Sequence, residues 1–496
     1  MRRAFFFANI EQYVVALVGL ASIAAVSRLL TPAEIGVAAI GLGVSTIAFA
    51  AKEFASAEFL IQRRAIDGRD IGTAFTIAAA FSAAIAGGLF GASGLIESAY
   101  AAPGVALFLE VMCLVGLADA VSAPTQALLR REMAFSVLAR INVAASVATA
   151  SVTIFLAGAG FGLMSIAWGQ AAGAATKAGL SVVWAPVRLP TRPSVASWRA
   201  MLSFGGGKGA VTVISRVYEA LPQLVLGRTM SHAAVGIYTR SNLLCGIPDR
   251  FMMSAIFSFA FPALAARVRE GGDLKAAYLR ALTYIAAVYC PALALVALLA
   301  DPIVSFALGP GWDPVVPLVR LLALAAMFWT PMIVTTPTLF ALGANRDAFL
   351  TSLYGRGFGA AVMVGASFVS LTALAASQFI SIPFYAWLSL RIARRRLGFA
   401  WGDLASEAAR NAAVLVSALA PPCLFVGLSE SGLDMTPLQA VLCGALAAPG
   451  WLAGLWGSRH PLRDEVTAIL AHLLARLLDR RGGASGAAPL RAGARR

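Results

Sequence analysis

The stretch VVALVGLASIAAVSRLLTPAEIGVAAIGLGVSTIAFA, residues 14–50, joins two apolar runs through a short turn that contains Arg28 and Pro32. Lipid offers no hydrogen-bond partners to a backbone, so chains cross a bilayer only as helices or closed barrels. The strict alternation that marks barrel strands is absent from these runs. A helix rises about 1.5 Å per residue, so about 20 residues cross the hydrocarbon core. The stretch therefore predicts two membrane-spanning helices.

The composition of the whole chain extends this prediction to an integral membrane protein. Of its 496 residues, 59% are hydrophobic and 13% are charged, which is about half the usual charged share. A water-soluble protein of this size could not cover its surface with so few charges. This excludes a cytosolic enzyme, a disordered chain and a disulfide scaffold. The predicted fold class is an all-α integral membrane protein.

We predict about fourteen transmembrane helices from the apolar runs. The cations between them indicate the orientation, because cytoplasmic loops are enriched in Lys and Arg. With both termini in the cytoplasm, the inner connections carry twenty of these cations and the outer ones carry only Arg28 and Arg228. The predicted spans are 9–28, 33–57, 71–91, 104–126, 136–157, 161–184, 199–227, 232–263, 276–299, 316–343, 348–370, 372–391, 411–428 and 436–457.

An internal repeat relates the two halves of the chain. Arg28-Leu-Leu-Thr-Pro-Ala-Glu-Ile-Gly36-Val recurs 200 residues later as Arg228-Thr-Met-Ser-His-Ala-Ala-Val-Gly236-Ile. In both copies a helix is predicted to end at Arg, turn through Thr or Ser, and restart before Gly. Six predicted spans separate the copies, so the halves have the same membrane orientation and form a parallel repeat.

A second match supports the repeat at an offset of 214. The pairs Ala-Leu at 127–128 and Ala-Phe at 134–135 recur at 341–342 and 348–349. After the last span, leucines recur at helical spacing between arginines, which predicts an amphipathic helix on the membrane surface. The predicted division is an N-lobe at 1–190 (helices 1–6), a C-lobe at 191–396 (helices 7–12), helices 13–14 at 397–458, a cytoplasmic amphipathic helix at 459–481 and a disordered basic tail at 482–496.

The seventh predicted span carries polar side chains on one helical face. They recur at steps of four, four, three and four residues, and such neighbours lie above one another on a helix. We expect this face to line a polar cavity; the alternative is ion pairing, such as Arg216 with Glu219, that only packs the bundle. The residues of this face are Lys208, Thr212, Arg216, Glu219 and Gln223.

The eighth predicted span adds to the same expected cavity. Its polar face carries Tyr238, Asn242 and Asp249. Arginine presents a planar set of donors that suits phosphate oxygens, so the cavity is expected to take an anionic ligand. The candidate substrate-binding residues are Lys208, Arg216, Arg240 and Arg250.

Acidic residues within spans could couple ion movement to transport, or could pair with neighbouring polar groups. The candidates for ion coupling are Glu11, Asp119 and Glu219. Further cations lie near span ends, where long side chains are expected to extend to the lipid surface. These are Lys52, Arg140, Lys177, Arg320 and Arg356.

The sequence offers no enzyme site. No Gly-rich phosphate loop precedes a helix, no two histidines stand at metal-ligand spacing, and the cysteines lie singly in apolar runs. We predict no catalytic residues, no metal and no cofactor, and we expect the cysteines to be small buried hydrophobes. The cysteines are Cys113, Cys245, Cys290, Cys423 and Cys443.

Two short motifs resemble a known family. The segment Arg28–Gly36 fits Arg-Leu-Leu-Ser/Thr-Pro-x-Glu/Asp-Phe/Ile/Tyr-Gly, and Tyr238–Leu244 fits Tyr-Ser/Thr-Arg-Ala/Ser-x-x-Leu/Ile. With the six-plus-six plan, they are similar to the Wzx-type oligosaccharide flippases. These form the polysaccharide transporter branch of the multidrug/oligosaccharidyl-lipid/polysaccharide exporter superfamily. The resemblance spans most of the chain, but its motifs form turns and say little about the substrate.

The resemblance implies a flippase that moves undecaprenyl-diphosphate-linked oligosaccharide from the cytoplasmic to the outer leaflet of the bacterial inner membrane. It implies alternating access around a cationic cavity, in exopolysaccharide, capsule or O-antigen synthesis. The expected partners are the lipid-linked oligosaccharide and membrane lipids, with a polysaccharide polymerase and a chain-length regulator as further candidates, and no nucleic acid.

Two other functions compete with this one. A cation-coupled multidrug exporter of the same superfamily would have an acidic cavity. A glycan polymerase or ligase would display a long reactive outer loop, and the longest outer connection, 300–316, contains no His or Arg.

Overall fold

The computed structural model describes residues 2–63, 65–185, 193–249, 273–429, 433 and 435–468. Every regular element in these ranges is helical, which confirms the predicted all-α class. Ten of the helices are long and apolar enough to cross a membrane. They are Glu11–Leu29, Pro32–Gln62, Gly68–Tyr100, Val105–Arg131, Phe135–Gly158, Leu274–Leu298, Val315–Ala341, Leu371–Leu397, Trp401–Leu428 and Pro437–Gly457.

The predicted count of fourteen is not reached by this measure and stays a prediction. Three further helices coincide with predicted spans but are more polar, since they carry Lys177, Arg216 and Arg356 among other polar residues. The predicted span 232–263 is described only as far as Asp249. The three helices are Met164–Val183, Trp198–Thr229 and Asn345–Ser367.

The helices are numbered here in chain order. The amphipathic helix predicted at 459–481 is described only to residue 468, and the tail at 482–496 lies outside the described residues. The helices are α1 Arg2–Leu29, α2 Pro32–Ala50, α3 Phe59–Gln62, α4 Gly68–Tyr100, α5 Val105–Arg131, α6 Phe135–Gly158, α7 Met164–Val183, α8 Trp198–Thr229, α9 His232–Cys245, α10 Leu274–Leu298, α11 Ala300–Ala307, α12 Val315–Ala326, α13 Thr330–Ala341, α14 Asn345–Ser367, α15 Leu371–Ala376, α16 Gln378–Leu397, α17 Trp401–Leu428 and α18 Pro437–Gly457.

The first repeat folds into two equivalent turns. Between α1 and α2, the Thr31 hydroxyl accepts the Glu34 N–H at 3.3 Å, and the Glu34 carboxylate accepts the Thr31 N–H at 2.8 Å. Between α8 and α9, the Ser231 hydroxyl accepts the Ala234 N–H at 3.2 Å. Each cap satisfies a backbone donor that a helix start leaves without a partner. The turns lie 200 residues apart, as predicted, and we call the end of the bundle that carries them the motif end.

The second repeat has an offset of 210, and the predicted offset of 214 is wrong. Between α5 and α6 the chain turns at Met133, with φ of 57°, and the Ala134 N–H donates to the Leu129 carbonyl at 2.9 Å. Between α13 and α14 it turns at Gly343, with φ of 67°, and the Ala344 N–H donates to the carbonyl five residues earlier at 2.8 Å. The matched Ala pairs are therefore about one helical turn out of register.

The helices from the first 190 residues pack mainly on one another: α1 on α6, α6 on α7, α4 on α5, and α5 on α7. In the rest of the chain, α14 packs on α16, α9 and α10 pack on α12, and α17 packs on both α10 and α18. Helix α2 connects the two sets, because it packs on both α8 and α9. The predicted lobe boundaries at 190 and 396 stay a prediction.

Two equivalent glycines let α2 and α9 cross in backbone contact near the motif end. A Cβ atom on Gly36 would lie 1.7 Å from the His232 carbonyl oxygen. A Cβ atom on Gly236 would lie 2.0 Å from the Pro32 carbonyl oxygen. No larger residue fits either position without displacing backbone. Each repeat therefore needs its glycine because a backbone carbonyl of the other repeat lies against it.

Candidate functional site

A cavity of about 550 Å³ opens in the part of the bundle away from the motif end. Its walls come from the end of α2, the 3₁₀ turn that follows it, α4, α5, α7 and the middle of α8. Along α2, Pro32 at the motif end and Thr46 on the cavity wall are separated by a rise of about 20 Å. The charged side chains that line the cavity are Lys52, Glu53, Glu58, Asp119, Arg130, Lys177 and Arg216.

One carboxylate on the cavity wall holds two ammonium groups. The Asp119 carboxylate lies 3.4 Å from the Lys52 Nζ and 3.5 Å from the Lys177 Nζ. The three side chains come from α5, the 3₁₀ turn Ala51–Ala55 and α7, and each is between 22 and 35% exposed. The ion pairs therefore face the cavity and keep some access to solvent.

The expectation that Lys52 and Lys177 extend to the lipid surface is wrong. Both side chains turn inward, because Asp119 offers them a counter-ion on the wall of a polar cavity, which costs less than facing hydrocarbon. Arg130, which the sequence places in a cytoplasmic connection, also lines the cavity. The sequence did not predict that these three cations meet, because their meeting depends on how three separate elements pack: the 3₁₀ turn, α5 and α7.

The polar face of α8 is divided between two cavities. Thr212 and Arg216 line the 550 Å³ cavity, whereas Glu219 lines a second one of about 310 Å³. The Arg216 Nη1 donates to the Glu219 Oε2 at 2.8 Å, and both side chains are about half exposed. Arg216 therefore lines a cavity, as expected, and also forms the ion pair with Glu219 that was the alternative. The side chain of Lys208 lies outside the described part of the structure.

The second cavity contains the polar face predicted for the eighth span. Tyr238, Asn242 and Asp249 line it together with Glu219. Two tyrosines and one glutamine from other helices add to its polar surface. These are Tyr218, Tyr289 and Gln378.

The predicted substrate-binding residue Arg240 is buried away from these two cavities. Arg240 is 7% exposed and lines neither of the two, because it lies about 200° around α9 from Tyr238. Its Nε has no hydrogen-bond partner in the part of the chain that the structure describes. Arg250 lies outside the described residues.

Each of the ion-coupling candidates has a polar partner. The Glu11 Oε1 accepts a hydrogen bond from the Asn142 Nδ2 at 2.6 Å, between α1 and α6. Asp119 pairs with two lysines and Glu219 pairs with Arg216, as described above. These contacts are compatible both with structural pairing and with ion coupling, and the coupling role stays a prediction.

Arg356 does not extend to the lipid surface as expected, whereas that expectation for Arg320 stays a prediction. Arg320 forms an ion pair with Asp301, on α11. The Arg356 guanidinium lies 5.3 Å from the centre of the Tyr218 ring, and its Nε and Nη1 are buried without a partner among the described residues. An acid in one case and an aromatic face in the other provide the favourable contact that lipid cannot. Arg140 is exposed, as expected.

The cysteines differ in how deeply they are buried. Cys113, Cys245 and Cys443 are buried and Cys290 is partly buried, whereas Cys423 is exposed, contrary to expectation. The outer face of α17 at Cys423 is covered by no other helix in the described ranges. Among the described residues, no group of three or more His, Cys, Asp or Glu side chains could hold a metal ion.

Solved structures share this fold. The lipid II flippase MurJ, in an inward closed conformation, matches with a TM-score of 0.73 at 11% identity, over 93% of this chain and 100% of that chain. A multidrug resistance MATE family transporter of the MOP superfamily, in an inward-facing conformation, matches with a TM-score of 0.62 at 15% identity, over 77% and 94%. At these identities the likeness shows the fold alone, which is that of the MOP-superfamily transporters.

The chain belongs to the polysaccharide biosynthesis protein family, whose model matches residues 25–317. It is 22% identical over 313 residues to the lipopolysaccharide biosynthesis protein WzxC of Escherichia coli K12, covering 62% of this chain and 63% of the relative. It is 23% identical over 330 residues to the succinoglycan biosynthesis transport protein ExoT of Rhizobium meliloti, covering 66% of each. The matches thus span just under two thirds of these relatives, and the resemblance to Wzx-type proteins is confirmed.

Proposed function

We propose that this protein is a flippase for lipid-linked oligosaccharides. It moves undecaprenyl-diphosphate-linked repeat units from the cytoplasmic to the outer leaflet of the bacterial inner membrane, for exopolysaccharide, capsule or O-antigen synthesis. The observation that carries this proposal is the 550 Å³ cavity, with its four inward-facing cations, at the end of the bundle away from the motif end. With both termini in the cytoplasm, this cavity opens toward the leaflet in which the substrate is made.

The charge pattern of the cavity suits a diphosphate. Lys52 and Lys177 share one carboxylate, so an incoming diphosphate can replace Asp119 as their counter-ion. Arg216 adds a planar guanidinium that can bind two phosphate oxygens at once. The polyprenyl tail can stay in lipid, and the charged head group crosses within the protein. No covalent bond is made or broken, so the protein acts as a transporter and not as an enzyme.

The test removes the charges of the cavity. In a strain that lacks the native gene, the combined variant Lys52→Gln, Lys177→Gln and Arg216→Gln is expected to reduce surface polysaccharide by about tenfold or more, since several charge-assisted contacts are lost. Arg410→Gln is the matched control, because Arg410 pairs with Glu407 on α17, away from the cavity. Full export from the combined variant at normal protein level would contradict the assignment. Lys208 and Arg250 stay further candidates for phosphate contacts.

A cation-coupled multidrug exporter is the second candidate. Glu219 and Asp249 give the 310 Å³ cavity an acidic character that a cationic drug would favour. This candidate predicts that deleting the gene increases drug sensitivity and leaves surface polysaccharide unchanged. The flippase predicts that deleting the gene reduces surface polysaccharide and leaves drug sensitivity unchanged.

A further inference from the structure

The two repeated turns each bind the opposite half of the chain. Arg28, at the end of α1, donates from Nη2 to the Phe306 carbonyl at 2.6 Å. Arg228, the equivalent residue at the end of α8, donates from Nη1 to the Ala99 carbonyl at 2.5 Å. The acceptors belong to α11 and α4, so each arginine reaches across from its own half to a helix end in the other half.

A matching proline leaves each acceptor free for its arginine. Inside a helix, each carbonyl accepts a hydrogen bond from the N–H four residues later. The last carbonyls of a helix lack such a partner. Four residues after Ala99 stands Pro103, and four residues after Phe306 stands Pro310; proline has no N–H to donate. Both prolines are followed by a glycine with positive φ, at 88° and 85°. The acceptor site therefore repeats at an offset of 207, just as the donor repeats at 200.

Other contacts between the halves lie at the same end of the bundle. The Trp312 Nε1 donates to the Ser27 carbonyl at 2.8 Å, and Trp312 is 2% exposed. The His232 Nε2 lies 3.1 Å from the Tyr100 carbonyl oxygen. The glycine crossing of α2 and α9 adds direct backbone contact here. The motif end is thus closed, while the charged cavity lies beyond it along α2.

We propose that Arg28 and Arg228 are positioning residues of a reciprocal clamp that holds the motif end shut and must release for substrate to leave there. This inference rests on the proposed transport function. Charge-assisted bonds to helix-end carbonyls are stronger than neutral ones, and water can replace the arginines when the halves separate. The clamp therefore has a closed and an open state, and the arginines favour the closed one.

The test measures which side of the membrane reaches the cavity. Ala123 lines the cavity and is exposed, so Ala123→Cys serves as a reporter for a membrane-impermeant maleimide, with labelling of the native cysteines subtracted. Labelling is compared between intact cells and inverted vesicles, so that neither orientation is assumed. In the double variant Arg28→Ala and Arg228→Ala, labelling from the motif-end side is expected to rise by about fivefold or more.

Matched controls separate the clamp from a general loss of structure. Arg320→Ala removes an arginine whose ion pair with Asp301 lies within one half, and it should leave the labelled side unchanged. The double variant Arg28→Lys and Arg228→Lys keeps a charged N–H donor group at each site and should stay close to the parent.

A second variant acts by a different physical route. Gly36→Ala keeps both arginines but places a Cβ atom against the His232 carbonyl, so it should shift labelling to the motif-end side as well. If the double alanine variant fails to accumulate, the labelling of Gly36→Ala becomes the test of the clamp. Unchanged labelling would overturn the clamp, whatever the cargo. Shifted labelling in a protein that exports no polysaccharide would support the clamp and contradict the proposed function.

Discussion

At the scale of single residues, the site was only partly predictable. Helical spacing correctly predicted that Thr212 and Arg216 line a cavity together, because residues on one helix keep their relative positions in any packing. The meeting of Lys52, Asp119 and Lys177 was not predictable, because three separate elements bring these side chains together. A lone lysine near a span end looks the same in sequence whether it turns toward lipid or inward.

The first residue-scale prediction concerns Asp119. If a diphosphate replaces this carboxylate, Asp119→Asn should strengthen binding of the lipid-linked substrate by about tenfold, since the two lysines lose their internal counter-ion. Binding to purified protein checks this, with Asp301→Asn as the control away from the cavity. Weaker binding by Asp119→Asn would mean that the carboxylate has a structural or ion-coupling role instead.

The second residue-scale prediction concerns His460, beyond the last span. Its Nδ1 accepts the Leu462 N–H at 3.1 Å, so its Nε2 carries the proton and donates to the Asn411 Oδ1 at 3.3 Å. Burial lowers the pKa of this imidazole, an effect that Glu407 opposes and Arg410 reinforces. The neutral form is therefore the one that the fold stabilises.

Because the pKa is lower in the folded than in the unfolded state, His460 contributes its full stability above its ordinary pKa of about 6.5. That contribution is lost as the pH falls below this value toward the folded pKa. The melting temperature of the parent should thus fall more steeply between pH 7.5 and pH 5 than the melting temperature of His460→Gln, because the glutamine amide does not titrate. Both pH limits lie about one unit or more from 6.5, so they bracket the titration. Equal slopes for the two proteins would contradict this account.

At the scale of elements, the repeated turns were well predicted because capping is local chemistry. Thr31 and Ser231 lie where a helix start needs an acceptor, and both supply one. The Pro-Gly pairs at 103–104 and 310–311 were an available signal that sequence reasoning missed. The 214-residue match failed because short Ala pairs recur by chance, whereas backbone hydrogen bonds fix the true offset of 210.

The element-scale prediction compares the two caps. Thr31→Ala and Ser231→Ala should each reduce the free energy of unfolding by about 1 kcal/mol, the usual contribution of an N-cap. Ser98→Ala is the control, since the hydroxyl of this exposed serine donates to the Leu95 carbonyl of its own helix and caps no helix start. Denaturant titration in detergent gives the values. A loss at Ser98→Ala as large as at the two caps would exclude a specific capping effect.

At the scale of the whole molecule, composition was sufficient for the membrane class, and the parallel repeat indicated the architecture. The motif end is closed by the crossing of α2 and α9 and by the contacts of Arg28 and Arg228 with α11 and α4, whereas the cavity is enclosed by α2, the 3₁₀ turn, α4, α5, α7 and α8. No local pattern encodes this packing. The proposed function requires that this bundle carries a diphosphate-linked glycan across a bilayer between its two ends.

The most direct test is translocation by purified protein in proteoliposomes. Polyprenyl-diphosphate oligosaccharide is placed in one leaflet, and its arrival in the other is followed with an impermeant glycosidase. The parent should accelerate transfer, and the variant with Lys52→Gln, Lys177→Gln and Arg216→Gln should not, because it lacks the cavity cations that bind the diphosphate. No acceleration by the folded parent, or equal rates for the parent and the variant, would contradict the proposed function.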